Sequence, residues 1–314
     1  MVNKKTDRIG EKNFWYKVKK YKVLLLMILP TVLYYFLFSY IPMAGIVVAF
    51  KNYNFTDGIF GSPWSGIDNF KFFFISGQAF RVTRNTILYN LAFIIVNTLL
   101  QITTAIFLTE LAGKYFRKIS QSIMFFPYFI SWVIVGIMSY NIFNYDHGNL
   151  NSFLKFVHVP PINVYSNPIA WIFIIIIFCA WKSIGYGTIL YLAAIMGIDT
   201  EVYEAAEIDG SNIFQRIFYI TIPSLVPTIV ILTLLAIGNI FRGDFQMFYQ
   251  LIGNNGIVYN ATDVIDTFTF RSLIQSNNFG MSAASGLYQS MLCLIIITIA
   301  NYVVKKFEPD YALF

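Results

Sequence analysis

The sequence predicts an all-α membrane protein with six transmembrane helices and both termini in the cytoplasm. Three observations carry that expectation. Of 314 residues, 57% are hydrophobic and 12% charged, with a mean hydropathy of +0.62, whereas about a quarter of residues in soluble domains are charged. Apolar runs long enough to cross a bilayer, which takes about 20 residues, recur six times, at 23–41, 86–111, 122–143, 168–196, 227–248 and 283–304. With the N-terminus inside, the cytoplasmic segments hold 14 lysines and arginines against 6 outside, the bias that sets orientation.

In chain order, residues 1–22 form a basic cytoplasmic segment. Lys17, Lys19, Lys20 and Lys22 sit against anionic headgroups, with an amphipathic stretch around Phe14, Trp15 and Tyr16 lying on the membrane. A nucleic-acid patch is the competing reading, but no aromatic-interleaved soluble module accompanies the charges. The run 23–41 is longer than the apolar core of a signal peptide and no small-x-small cleavage site follows, so it is read as an uncleaved first span. A single transmembrane domain, 23–304, follows, then a short cytoplasmic tail, 305–314. The first outer segment, 51–85, is dense in turn formers such as Asn54, Asp57, Gly58 and Pro63 and reads as a compact loop, with Trp64 and 70–75 at the interface.

Polar residues inside the spans come next. Asn90, Asn97, Gln101 and Thr104 share one face of the second span. Polar groups in hydrocarbon are costly unless they pair or meet water, so this stripe points inward, either bonding helices together or lining a polar path. Ala236, Asn239 and Gly243 in the fifth span, and Ser282, Ser285, Gly286, Gln289 and Cys293 in the sixth, form comparable faces. Asn97, Gln101, Asn239, Arg242, Asp244 and Gln289 are therefore the candidates for a translocation path. Arg242 and Asp244 either pair with one another or meet a partner subunit. Lys182 in the fourth span contacts substrate, snorkels, or pairs with a carbonyl.

Catalytic and metal chemistry find little support. Cys179 and Cys293 fall within spans and pack as small hydrophobes, while His147 and His158 lie in one outer loop without a companion ligand. There is no G-x-x-x-x-G-K phosphate loop, no H-E-x-x-H and no G-x-S-x-G. No catalytic residue, metal site or ATP-hydrolysing motif is assigned.

The segment 199–223 is the least lipid-like part of the core, and the charge bias places it in the cytoplasm. Asp199 or Thr200 can cap a helix over about 200–208, with Glu201 and Glu204 complementing its dipole. Ala205 and Ala206 let a partner approach the backbone. Gly210 suits a left-handed cap, Ser211 can cap a second helix with Ile213, Ile217 and Ile220 on one face, and Pro223 is expected to stop it. Two short helices joined at a glycine make a rigid knob.

This segment resembles the cytoplasmic EAA loop of bacterial binding-protein-dependent ABC importers: E-A-A, three residues, Gly, nine residues, Ile, one residue, then Leu-Pro. Glu204, Ala205, Ala206, Gly210, Ile220 and Pro223 fit at every spacing, Ile222 replaces the leucine, and Asp209 before the glycine suits the family. The residue at 199 is Asp where many members have proline. The phrases Ser65–Phe70, Asp263–Thr267 and Ala284–Ser290, and the W-K-S-I-G setting of Lys182, are similar to those of carbohydrate-importing permeases, so the resemblance spans 20–306.

The resemblance implies a type I importer permease in the bacterial plasma (inner) membrane that does not itself hydrolyse ATP. It implies a second homologous permease, two ATPase subunits that carry the ATP and Mg, and an extracytoplasmic solute-binding protein, with no nucleic acid. Glu204, Ala205, Ala206, Asp209, Gly210, Ile220 and Pro223 would couple to the ATPase, and the cargo would be a carbohydrate, an oligosaccharide above all. A permease for a peptide or polyamine is the alternative. A membrane-embedded transferase is a third, but its required cluster of carboxylates or histidines is missing. The acidic residues 199–209 lie beside alanines without a basic or metal-binding companion.

Overall fold

The computed structural model describes residues 14–110 and 113–307; most of the basic segment before residue 14 and the tail beyond 307 lie outside them. A short helix, α1 (Phe14–Lys20), precedes α2 (Lys22–Phe50), the first of five helices long and apolar enough to cross a membrane. A π-helical turn (Phe36–Tyr40) followed by a 3-10 run (Ile41–Phe50) carries the chain through Pro42. The proline falls in the first turn of the new register, where its missing N–H costs little, so this span outruns the expected 23–41. Only its last turns reach the core, through Val48 and Ala49.

The outer segment is compact, as its turn formers predict. The Asn69 amide donates to the carbonyls of Ala49 (2.9 Å) and Lys51 (3.1 Å), and the Lys51 ammonium to that of Phe60 (2.6 Å). Trp64 stays exposed and stacks on Phe50. After α3 (Asp68–Ile75) comes α4 (Gln78–Glu110), 33 residues and about 50 Å long at 1.5 Å per residue.

The expected third span, 122–143, is instead two helices, α5 (Lys114–Phe129) and α6 (Trp132–Phe143), bent by 93°. The cause is local. Pro127 weakens the last turn, Ile130 is extended, and Ser131 caps the new helix by accepting from Ile134 N–H. The carbonyls orphaned at the end of α5 are collected by the Lys182 ammonium, which donates its hydrogen bonds to those of Pro127 (3.2 Å), Tyr128 (2.8 Å) and Ile130. Of the readings open for Lys182, the carbonyl pairing is the one the fold uses. Counting the bent pair as one span, the crossings number six.

Beyond the short outer helix α7 (Asn149–Phe156), α8 (Pro168–Met196) coincides with the predicted fourth span and is capped by Asn167. It packs along α4 so closely that a Cβ at Gly187 would overlap the Gln101 amide. Then follow α9 (Thr200–Ile208) and α10 (Ile213–Gly238). Pro223 does not stop the second helix of the knob: a π-helical turn at Ile217–Thr221 precedes it, and the Ile222 N–H bonds back to Ile217 O. The fifth span therefore begins at 213 and ends at 238, and Arg242 and Asp244 lie in a non-helical break before α11 (Phe245–Ile252). Finally α12 (Ile265–Ile274) leads to α13 (Phe279–Phe307).

Three buried clusters position the sites. Trp132, Trp171, Ile175, Phe248 and Leu251 fill the outer half, and Phe73, Val82, Ile265 and Phe268 weld the outer segment to α12. Leu108, Tyr191, Ile195 and Leu225 fill the cytoplasmic half, directly above the knob.

Candidate functional site

Two places combine exposure with ordered polar groups: the knob at 199–223 and a cleft between α4, α8 and α10. In the knob, Asp199 caps α9 by accepting from Glu201 N–H (3.0 Å). The exit is a Schellman turn, with Ser211 N–H on Ala206 O (2.9 Å) and Gly210 N–H on Glu207 O (3.0 Å). Gly210 has φ +79°, and a Cβ there would meet nothing within 4 Å, so conformation rather than space demands glycine. The second helix is capped by Asn212, not Ser211. Asn212 and Gln215 form a reciprocal capping box (2.9 and 2.8 Å), while the Ser211 hydroxyl is buried without a partner.

Two contacts tie the knob to the fifth span: the Tyr203 and Thr221 hydroxyls (2.9 Å), and Arg216 with Glu207 (3.3 Å). Glu207 is 72% exposed, so that ion pair contributes little. Of the seven predicted coupling residues, Ala206, Asp209, Gly210 and Ile220 line one open hollow of about 410 Å³. Glu204, Ala205 and Pro223 are exposed beside it. The sequence reading missed the apolar side chains here: Ile208 is 87% exposed, Tyr219 80% and Phe214 68%. Large apolar residues flanking Gly210 in a polar cytoplasmic loop were the available signal, since exposed apolar clusters mark partner surfaces.

The cleft, about 340 Å³, brings together Asn97, Gln101 and Asn239 with Asn90, Ser183, Tyr186 and Thr233. Its amides also bond between helices. Ser183 Oγ donates to Asn97 Oδ1 (3.2 Å), Gln101 Nε2 to Ser183 O (3.3 Å), and Asn90 Nδ2 to Arg242 O (3.1 Å). The stripe residues that bond across to their neighbours thus also line the cleft. Thr104 is half-buried and donates within its own helix, to Leu100 O (2.6 Å).

The remaining path candidates are placed elsewhere. Gln289 donates to Phe241 O (2.8 Å) and Asp266 Oδ2 (2.8 Å), and the same carboxylate oxygen accepts from Gly243 N–H (2.6 Å). Burial pushes the Asp266 carboxyl above the usual range, with those donors and Arg242 acting against it. Asp244 caps α11 and accepts from Trp132 Nε1 (2.9 Å). Among the described residues Arg242 and Asp244 form no ion pair. Sequence reasoning also missed Asp263, whose fully buried carboxylate holds Arg271 (2.6 Å) and Arg81 (3.2 Å) and so joins α12 to the start of α4.

Six helical crossings, a capped cytoplasmic knob and a polar cleft without catalytic groups define the membrane subunit of a transporter. The chain belongs to the family of binding-protein-dependent transport system inner membrane components, whose model matches residues 101–309. It is therefore a multi-pass inner-membrane protein. Protein LplB of Bacillus subtilis (strain 168) is 33% identical over 293 residues, covering 93% of this chain and 92% of its own. The polygalacturonan/rhamnogalacturonan transport system permease protein YteP of the same organism is 33% identical over 94% of this chain and 91% of its own. Among solved structures, a chain of a bacterial ABC transporter involved in the import of the acidic polysaccharide alginate superposes with a TM-score of 0.84. It is 31% identical over 94% of this chain and 99% of that one. Another describes the alginate transporter in complex with its pentasaccharide-bound periplasmic protein, TM-score 0.83 at 30% identity over 94% of this chain and 98% of that one.

Proposed function

We propose that this chain forms half of the translocation path of an ATP-driven importer for an oligosaccharide and couples to a separate ATPase through 199–223. The observation that carries the reading is the knob: a short helix capped at both ends, fixed to the fifth span and presenting Ile208, Phe214 and Tyr219 to the cytoplasm. A rigid apolar surface of this kind seats in a groove of a partner. Closure of two ATPase subunits around ATP and Mg pulls the knob and, through Tyr203–Thr221, the foot of α10. The cleft between α4, α8 and α10 then opens to one side or the other, as alternating access requires. A second homologous permease supplies the other wall, and an extracytoplasmic binding protein delivers the cargo.

The cleft's chemistry supports a carbohydrate. Asn97, Gln101, Asn239, Ser183 and Thr233 offer neutral donors and acceptors, and Tyr186 an aromatic face, with no carboxylate among the lining residues. A polyamine would need carboxylates there. The polygalacturonan/rhamnogalacturonan named for one relative and the alginate named for the similar solved structure point the same way. The test is uptake of radiolabelled oligosaccharides by vesicles containing the assembled complex with ATP on the ATPase side. ATP-dependent accumulation of an oligosaccharide, without that of spermidine or a peptide, is expected. Accumulation of the spermidine or peptide alone would refute the carbohydrate reading.

A further inference from the structure

A second groove, about 480 Å³, lies between the outer halves of α4 and α8. It is on the other side of α4 from the polar cleft: Leu88 and Ala92 face the groove, whereas Asn90, Asn97 and Gln101 face the cleft. At 100° per residue, positions 88 and 90 lie on opposite sides of a helix. The groove side of α4 carries an exposed stripe of Leu88, Leu91, Ile95 and Leu99, and neighbouring α8 exposes Ile169, Phe173 and Ile177. On membrane-crossing helices an all-apolar exposed stripe faces hydrocarbon. Ile172 and Ile176 complete the slot, together with Tyr89, whose buried hydroxyl has no hydrogen-bond partner.

The mouth of the slot has the opposite character. Arg84 and Asn260 stand there, at the end that the charge bias places outside. Three arginines occupy this region, and two of them, Arg81 and Arg271, are paired with Asp263. Arg84 is exposed and donates only to neutral oxygens, Asn85 Oδ1 (3.0 Å) and Asn260 O (3.3 Å). Among the described residues it has no carboxylate at ion-pair distance.

We infer that this slot holds one anionic phospholipid of the outer leaflet, with its phosphate on Arg84 and an acyl chain between α4 and α8. From Arg84 to Ala92 the helix descends about 12 Å, from headgroup depth into hydrocarbon. A guanidinium without a counter-ion above a mainly apolar slot fits a phosphate above a chain, because guanidinium and phosphate pair through two parallel hydrogen bonds. A zwitterionic lipid fills the slot equally well but offers the arginine a phosphate already partnered by its own cation. The lipid would brace, from outside, the same two helices that form the cleft.

The test uses the full chain, purified in mild detergent with the subunits that accompany it. It is titrated with phosphatidylglycerol or phosphatidylcholine, and retained lipids are counted by native mass spectrometry. The chain is expected to retain one phosphatidylglycerol in preference to phosphatidylcholine. Arg84→Gln should weaken phosphatidylglycerol binding about tenfold, the loss of one charge-assisted contact, and remove the preference, while Arg84→Lys keeps part of it. Ala92→Phe, which fills the slot, should abolish retention of both lipids. Equal phosphatidylglycerol retention by the wild type and Arg84→Gln overturns the proposal. So does efficient cross-linking of Leu88→Cys to another protein subunit in native membranes, because the slot would then be a protein interface.

Discussion

The cytoplasmic knob and the outer polar node around Asp263 are both ordered by hydrogen bonds, but by bonds of opposite kinds. In the knob, the capping and turn partners are two to five residues apart: Asp199 with Glu201, Asn212 with Gln215, Ser211 with Ala206. At the outer end, Asp263 meets Arg81 across 182 positions, and Asn85 donates to Asp263 O across 178. The knob is ordered by its own local bonds and is continuous with the foot of α10. The outer node ties segments together and holds only while the bundle is assembled. A part that transmits force benefits from the first construction, and a part that closes a bundle from the second.

The sharpest way to break this comparison is Asp263→Asn. It leaves two guanidinium groups facing a neutral amide in a site where the carboxylate is fully buried. Removing one member of a buried ion pair costs about 3–5 kcal/mol. The purified protein should melt several degrees lower, while hydrogen exchange in 199–223 stays as in the wild type. Equal loss of protection in the knob would show that the two regions are not independent.

The same contrast explains what was legible beforehand. Six crossings, the Asp199 cap and the Gly210 joint follow from composition and local spacing, and the cap and the joint each have a local cause in the structure. The 93° break at Ile130–Ser131 was not legible. Pro127 alone does not end a helix, and the Lys182 ammonium that collects the freed carbonyls sits 52–55 residues away. Likewise 227–248 reads as one apolar run, but Asp266 and Gln289, from two other helices, capture Gly243 N–H and Phe241 O and so hold the chain out of helix after Gly238. Asn97 and Gln101 were placed correctly on one face. Whether they bond between helices or face a polar space could not be decided from spacing, since they bond to α8 and also line the cleft.

Gly210→Val tests the knob in turn. A β-branched residue at φ +79° costs about 1–2 kcal/mol, concentrated in the Schellman turn. ATP-driven uptake should fall at least about tenfold, with the melting temperature of the bundle almost unchanged. Normal uptake by this variant would remove the coupling role from 199–223.

Asp266 sharpens the outer half through pH. Its carboxyl is raised by burial, so the protonated form is favoured in the folded protein. That contribution is fully present below the ordinary carboxylate value of about 4 and is lost as pH rises through the higher folded value. Wild type compared with Asp266→Asn should therefore be relatively more stable at about pH 4 than at about pH 7. Melting curves of the two proteins at both values check this, and a difference that grows with pH would contradict it. Gln289→Leu, which removes one of the donors to that carboxylate, should strengthen the trend.

The smallest effect is the most discriminating for the knob's construction. Asn212→Ala removes a helix cap worth about 1 kcal/mol, so the amides of Ile213 to Gln215 should exchange several-fold faster. Ser211→Ala removes a hydroxyl that is buried and unpartnered, and deleting such a group is neutral or slightly favourable. The two residues are adjacent and both are good capping types, so propensity cannot separate them; the Schellman turn does. Ser211 donates its N–H back to Ala206 to close the first helix, which leaves the next residue to open the second. If Ser211→Ala instead accelerated exchange and Asn212→Ala did not, the joint would have to be one residue shorter than the geometry here, and Gly210 would no longer sit at its turning point.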